Sequence, residues 1–225
     1  MGGVVSSEWV RPSVLCPPPK SNITIHRYYT IRFSWQAYIQ LRAERLKHKD
    51  IIFLFVLMGL MSLIDYILTR RSIRHYENKD IPDDVLRQIL EAGRQAPSAA
   101  NRQPIRFVVV KDHDILKTLC DTLITRFVKY APVAIVGCAD VKSLLTGRWA
   151  VIDATIAMQN MVIAAWTLKV GSCWIGACNE RKVKELLKIP DKWKVVALLT
   201  FGYPAEQPEP KKKKQVEELF SFNSF

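Results

Sequence analysis

The stretch from Trp149 to Leu168 constrains the fold more than any other part of the chain. It reads as one long helix that is apolar almost all round, so it has to be buried on every side. The segments around it supply the cover. Residues 105–110 (IRFVVV), 132–138 (PVAIVGC) and 194–202 (KVVALLTFG) read as strands. The second has no polar face, which marks a buried strand. A helix starts near Asp80-Ile-Pro82-Asp83, where Asp caps, Pro suits the first turn and the acids suit the dipole. Its apolar stripe is Val85, Leu86, Ile89 and Leu90, and Gly93 and Pro97 end it. Residues 113–128 and 180–188 read as two further helices. From Pro204 the chain is a polar tail with an amphipathic end at Val216, Leu219 and Phe220. The pattern is mixed α and β with no internal repeat.

Residues 1–57 read differently from 58–225. They hold Pro17-Pro18-Pro19, scattered aromatics and no sustained periodicity. The apolar run Ile51–Met61 follows Arg42, Arg45, Lys47 and Lys49, a flank that resembles a signal or anchor. The run is short against the ~20 residues a spanning helix needs. Extended to Leu68, it takes in Ser62 and Asp65. The expectation is that the chain starts biologically at Met58 or Met61, or that 1–57 is a poorly ordered or partner-binding extension. A membrane anchor over 51–68 is the weakest of these readings. Past residue 60, Leu60, Ile64, Ile67 and Leu68 share a helical face that runs into Arg70-Arg71.

The net charge of +12 suggests an anionic partner, but it is dispersed. Residues 1–60 hold 8 Lys/Arg against 3 Asp/Glu, and 61–225 hold the other 25 against 18. Much of the second excess lies at Arg70, Arg71 and Arg74 and at Lys211 to Lys214. Two compact spots suit a small phosphate better than a nucleic-acid face. Five cysteines, an odd number without a CxxC pair, argue against a disulfide framework and a zinc site and favour a reducing, cytoplasmic compartment. There is no G-x-G-x-x-G, P-loop, H-E-x-x-H or G-x-S-x-G motif. The hard chemistry of an enzyme built this way belongs to a cofactor.

Four constellations remain. Arg70, Arg71, Ser72 and Arg74 put three guanidiniums and a hydroxyl within five residues, a phosphate clamp by type, although a basic helix end would look the same. Pro97-Ser98-Ala99-Ala100-Asn101-Arg102-Gln103-Pro104 combines small residues with two amides able to pair with the O–C–N edge of a flat ring. An ordinary helix-to-strand loop has similar composition. Gly171 to Ala177 reads as a loop able to aim backbone N–H groups, or as a tight turn and a strand. Gln159 and Asn160 read as buried amides tying down neighbouring backbone. Phe201-Gly-Tyr-Pro204 precedes the lysine run, which by composition alone is a solvated tail.

Taken in order, ILTRRSIR (67–74), APSAANRQP (96–104), DATIAMQN (153–160), GSCWIGA (171–177) and FGYP (201–204) with its lysines resemble the nitroreductase family. The resemblance spans roughly 61–225. It implies an α+β sandwich around a mainly antiparallel sheet, an intertwined homodimer, and FMN at the subunit interface. Arg70, Arg71, Ser72 and Arg74 would then hold the phosphate and ribityl chain, with Lys211 and Lys213 at the phosphate. Pro97, Ser98, Ala99, Asn101 and Gln103 would approach the ring from the partner, and Trp174, Ile175 and Gly176 would turn backbone N–H groups to it. Lys213 stands where the family often has Arg, Ile105 where it often has an aromatic, and Lys169 where it usually has Gly.

The resemblance implies that NADH or NADPH reduces the flavin and that a small-molecule acceptor, such as a nitroaromatic, a quinone or a free flavin, then takes the electrons. No metal is expected, and the resemblance leaves any catalytic acid or base unnamed. The alternatives are a flavin-holding protein that NAD(P)H does not reduce, and related flavin chemistry such as flavin breakdown or reductive dehalogenation.

Overall fold

The computed structural model describes residues 62–225 except 120, 121 and 146. The chain divides into two units, Met1–Leu60 and Met61–Phe225, and the second is the one described. The expectations for residues 1–57, and most of the anchor reading over 51–68, lie outside the described residues.

Helix α1 is Leu63–Thr69 and α2 is Asp83–Arg94. Strand β1 (Ile105–Val110) follows, then α3 (His113–Leu119), β2 (Val133–Asp140) and α4 (Gly147–Thr167). The chain continues through β3 (Gly171–Ile175), α5 (Glu180–Leu187) and β4 (Trp193–Gly202). The four strands form one sheet in the order β1-β2-β4-β3, and every pair is antiparallel.

Strand β2 explains the layers. Seven of its eight residues are buried, so both faces of the sheet are covered. Side chains alternate across a strand. Val133 and Ile135 join Leu199 and Phe201 against Met158 and Met161 of α4 and Leu86 and Ile89 of α2. Ala134, Val136 and Cys138 join Leu198 against Leu116 of α3 and Val183 of α5. The result is the expected α+β sandwich, with α4 as the central core helix. At Gly137 a Cβ would sit 2.3 Å from Met158 Sδ, so the glycine lets α4 lie close on the sheet. Helix α4 is long and apolar enough to cross a bilayer by composition, but here it packs on the sheet and α2.

Several local readings differ from the structure. Pro82, not Asp80, occupies the cap position of α2, and it makes no side-chain cap bond. Gly93 does not end α2. It lies within the helix, where a Cβ would meet Met161 at 2.4 Å. The 113–128 helix is not continuous: α3 stops at Leu119 and a 3-10 turn covers Arg126–Tyr130. Thr122 N–H donates to Thr125 Oγ1 at 3.2 Å between them, a local bond that competes with the helical ladder. Of the two readings of Gly171 to Ala177, the strand holds over residues 171–175 and the loop does not. Cys138 and Cys173 are free, and Cys178 is disulfide-bonded, a single bridge rather than a framework among the described residues.

Candidate functional site

Helix α1 opens with a capping box, in which Ser62 and Asp65 each bond the other's backbone N–H. It ends at Thr69, and the chain turns extended at Arg70. This short extended segment runs along the edge of β3. Ser72 forms a parallel bridge to Ser172, and Ile73 N–H donates to Ser172 O at 2.9 Å. Gly171 permits the approach, since a Cβ there would lie 2.6 Å from Ile73 Cγ1. Tyr76 closes the segment from below. Its hydroxyl bonds Ile73 O and Thr200 Oγ1, both at 2.7 Å, and burial pushes its pKa up. The segment is thereby fastened to the sheet, with Arg70, Ser72 and Arg74 alternating to one side.

The tail returns to the same place through Glu206. Its carboxylate accepts from the backbone N–H groups of Arg74 and His75 and lies 2.9 Å from His75 Nδ1. Burial alone would raise the Glu206 pKa, but these bonds outweigh it and hold the group below the ordinary carboxylate value. The anchor brings Lys211 and Lys213 beside Arg70, Arg71, Ser72 and Arg74 around a cavity of about 480 Å³. All six predicted clamp residues therefore meet.

The electrostatics of this cavity are those of an anion site. None of its five cations forms an ion pair among the described residues. Burial, with Arg71 beside it, pushes the Arg70 guanidinium below its ordinary value, against a smaller opposing effect from Cys173. Arginine nonetheless stays charged at neutral pH. Cations without ion pairs around one cavity fit a phosphate, which takes bidentate guanidinium forks well, and the Arg74 guanidinium also lies 5.9 Å from the Phe127 ring centroid. Glu209 also reaches the cavity, as the acid at its rim. Arg71 is partly committed, because its Nη1 donates to Leu68 O at 3.1 Å and Arg70 O at 3.0 Å, closing the end of α1. A larger cavity of about 1010 Å³ lies between Tyr66, Trp166 and Tyr203 and shares Arg71 with the clamp. Its lysines lie over rings, Lys79 at 4.3 Å from Tyr203 and Lys169 at 5.6 Å from Tyr66. They do not converge on one point, so the smaller cavity is the phosphate candidate.

Strand β3 carries the third constellation past the clamp. Ile175 is buried in the core, so it can offer a ligand only backbone, while Gly176 is exposed with nothing near its Cα substituent position. Trp174 is half-buried, and its Nε1 donates to Gln159 Oε1 at 3.2 Å. Gln159 is exposed, contrary to expectation, whereas Asn160 Nδ2 ties to Ala92 O at 3.4 Å as expected.

The loop from Pro97 to Gln103 does not line the clamp cavity of its own chain. It is a tight turn with positive φ at Ala100 (50°), Asn101 (52°) and Gln103 (53°). Ser98 Oγ accepts from Gln103 N–H at 3.1 Å, and Gln103 Nε2 donates to Asn101 Oδ1 at 3.1 Å. Sequence reasoning missed two residues here. Asp153 on α4, 4% exposed, accepts from Ala99 N–H with both oxygens at 3.2 Å. Glu206 anchors the tail. A charged residue inside an apolar helix was the available signal for the first. Nothing in the sequence signals the second, since its partners lie about 130 positions away.

The model of the nitroreductase family matches residues 67–139 and 123–203, a span that runs from α1 through the clamp and the sheet to Tyr203. The chain belongs to the nitroreductase family. A protein of Methanothermobacter thermautotrophicus, named as a candidate NADH dehydrogenase or NAD(P)H nitroreductase, is 36% identical over 155 residues, which is 66% of this chain and 80% of the relative. The structure of an FMN-dependent nitroreductase from Clostridium difficile is similar with a TM-score of 0.62 at 31% identity, covering 72% of this chain and 99% of that one. The NADPH:FMN oxidoreductase of Vibrio harveyi, solved with NAD+, is similar with a TM-score of 0.67 at 26% identity, covering 72% and 77%. The nitroreductase fold thus extends over the second unit.

Proposed function

We infer that this chain is an FMN-dependent oxidoreductase that takes a hydride from NADH or NADPH and passes electrons to a small organic acceptor. The observation that carries this reading is the clamp: five unpaired cations around one cavity, in a member of the nitroreductase family. Bound FMN supplies the redox chemistry. The protein supplies binding and orientation. Arg70, Arg74, Lys211 and Lys213 hold the phosphate by charge, and Ser72 adds a hydroxyl donor. Arg71 stiffens the entry to the clamp by closing α1. Gly176, exposed and with open space where a Cβ would lie, follows Trp174 and Ile175 at the end of β3, where its backbone N–H would be offered to the ring.

We read the site as completed by a second copy, with Pro97, Ser98, Ala99, Asn101 and Gln103 meeting the flavin held by the other protomer. Two observations support a homodimer. The turn carrying these residues stands away from its own clamp. Large apolar side chains are also uncovered: Ile64, Ile67 and Leu68 on α1, Trp149 and Ile152 on α4, and Phe220 in the tail. A soluble monomer rarely leaves so much apolar surface open. We assign catalysis to residues 58–225, and the cytoplasm as the compartment because its donor, NAD(P)H, is an intracellular nucleotide.

The test is anaerobic. Purified protein is expected to be yellow, and stoichiometric NADH or NADPH should bleach the bound flavin. Colourless protein that takes up no added FMN would sink the assignment.

A further inference from the structure

Asp153 is a carboxylate in a place where packing alone would favour a hydrocarbon. Ala150, Ala154 and Ala157 share its helix face and are fully buried. Burying a carboxylate is costly unless it is hydrogen-bonded. Both of its oxygens are directed at one group, the amide of Ala99, which lies 54 positions earlier in the chain.

That amide opens a turn under conformational strain. Ala100, Asn101 and Gln103 all have left-handed backbones, which residues bearing a Cβ seldom adopt. The other bonds of the turn are short-range: Asn101 N–H to Ser98 O, Arg102 N–H to Ala99 O, Gln103 N–H to Ser98 Oγ, and Ile105 N–H at the start of β1 to Gln103 O. Internal bonds fix the shape of a turn but not its position on the body of the protein. Among the described hydrogen bonds of residues 98–103, the one from Ala99 to Asp153 reaches a distant element, α4, whereas Gln103 O bonds only the adjoining start of β1.

We propose that Asp153 is a positioning residue for the flavin site, holding the 98–103 turn through the Ala99 amide where it meets the cofactor bound by the other protomer. The proposal rests on the shared site described under Proposed function. It assigns α4 two tasks, since the same helix presents Trp149 and Ile152 outward and Asp153 inward. An asparagine at 153 would keep an acceptor for the Ala99 amide, and a leucine would keep volume without one.

The experiment uses purified dimers of Asp153→Leu, Asp153→Asn and Ala99→Pro. The last removes the donor at a helix start, where proline is tolerated, and leaves the buried Asp153 carboxylate without that bond, so it is read by flavin affinity and the leucine variant by apo stability as well. FMN dissociation constants are expected to rise about tenfold or more for Asp153→Leu and Ala99→Pro, the scale of a lost charge-assisted hydrogen bond. Asp153→Asn should stay close to wild type, and the thermal midpoint of the apo-dimer should not track the loss of affinity. Wild-type FMN affinity in both Asp153→Leu and Ala99→Pro would overturn the proposal. So would equal losses of affinity and apo stability in the leucine and asparagine variants, which would mark a purely structural residue.

Mixed dimers separate this outcome from failure of the shared-site reading. One protomer carries Asp153→Leu and the other Arg70→Gln, each with its own affinity tag. A shared site predicts one tight flavin per mixed dimer, because one site then receives an intact clamp and an intact turn. No tight site in the mixed dimer, with affinity still lost in Asp153→Leu, overturns the shared arrangement and leaves Asp153 acting within its own protomer.

Discussion

Ser72 and Ser172 lie side by side in a parallel bridge, so the segment carrying Arg70, Arg71 and Arg74 is added beside β3, an edge strand of the sheet. That one pairing puts the clamp next to β3. It depends on the absence of a side chain at Gly171, whose Cβ would fall 2.6 Å from Ile73 Cγ1.

Gly171→Ala is therefore expected to destabilise the protein by about 1–3 kcal/mol, the usual scale of overpacking. It should weaken FMN binding as well, because the clamp strand has to shift. Ile73→Ala, costly by itself at a buried position, should cost less in the Gly171→Ala chain than in wild type, since it removes the opposing atoms. Additive effects in a double-mutant cycle followed by thermal melts and flavin titration would contradict a direct contact.

Arg70→Gln and Arg74→Gln should each weaken FMN binding by roughly 10–100-fold, the range for a charge-assisted hydrogen bond. The apo-protein should be no less stable in either variant. The cations of the clamp have no ion-pair partners among the described residues, and burial and Arg71 already disfavour the charge on Arg70. The salt dependence of binding should also become shallower. Loss of apo stability on a par with loss of affinity would show that these arginines hold structure instead.

The tail anchor should respond to acid. The Glu206 pKa is below its ordinary 4.5, so the carboxylate stabilises the folded state fully above that value. Its contribution is lost as pH falls through the depressed folded value. FMN affinity should accordingly show a step below pH 4.5 that Glu206→Gln abolishes. The flavin phosphate loses its second charge near pH ~6 in either protein, so the difference between the two profiles isolates Glu206. A step that persists in Glu206→Gln would have another source.

Ile67→Asp puts a charge on the uncovered face of α1. Sedimentation should show a shift toward monomer, and flavin retention should fall with it. A variant that remains dimeric and yellow would move the subunit interface elsewhere.

The sequence by itself determined the layers and the chemistry available to the site. β2 is apolar on both faces and α4 apolar almost all round, so only a sheet covered on two sides could hold them. The residue types at 70–74 and 211–213 made a phosphate clamp available, although by composition alone a basic helix end and a solvated tail would look the same. Local bonds then overruled periodicity at Thr122 and Thr125, where a side-chain turn replaced a helical one. Tertiary structure alone decided which distant residues meet: Glu206 with the Arg74 and His75 amides, Asp153 with the Ala99 amide, and Gly171 with Ile73. Periodicity reports which face of an element is buried. Which groups come together across 50 to 130 positions depends on how those faces fit, and a single chain's pattern does not encode that fit locally.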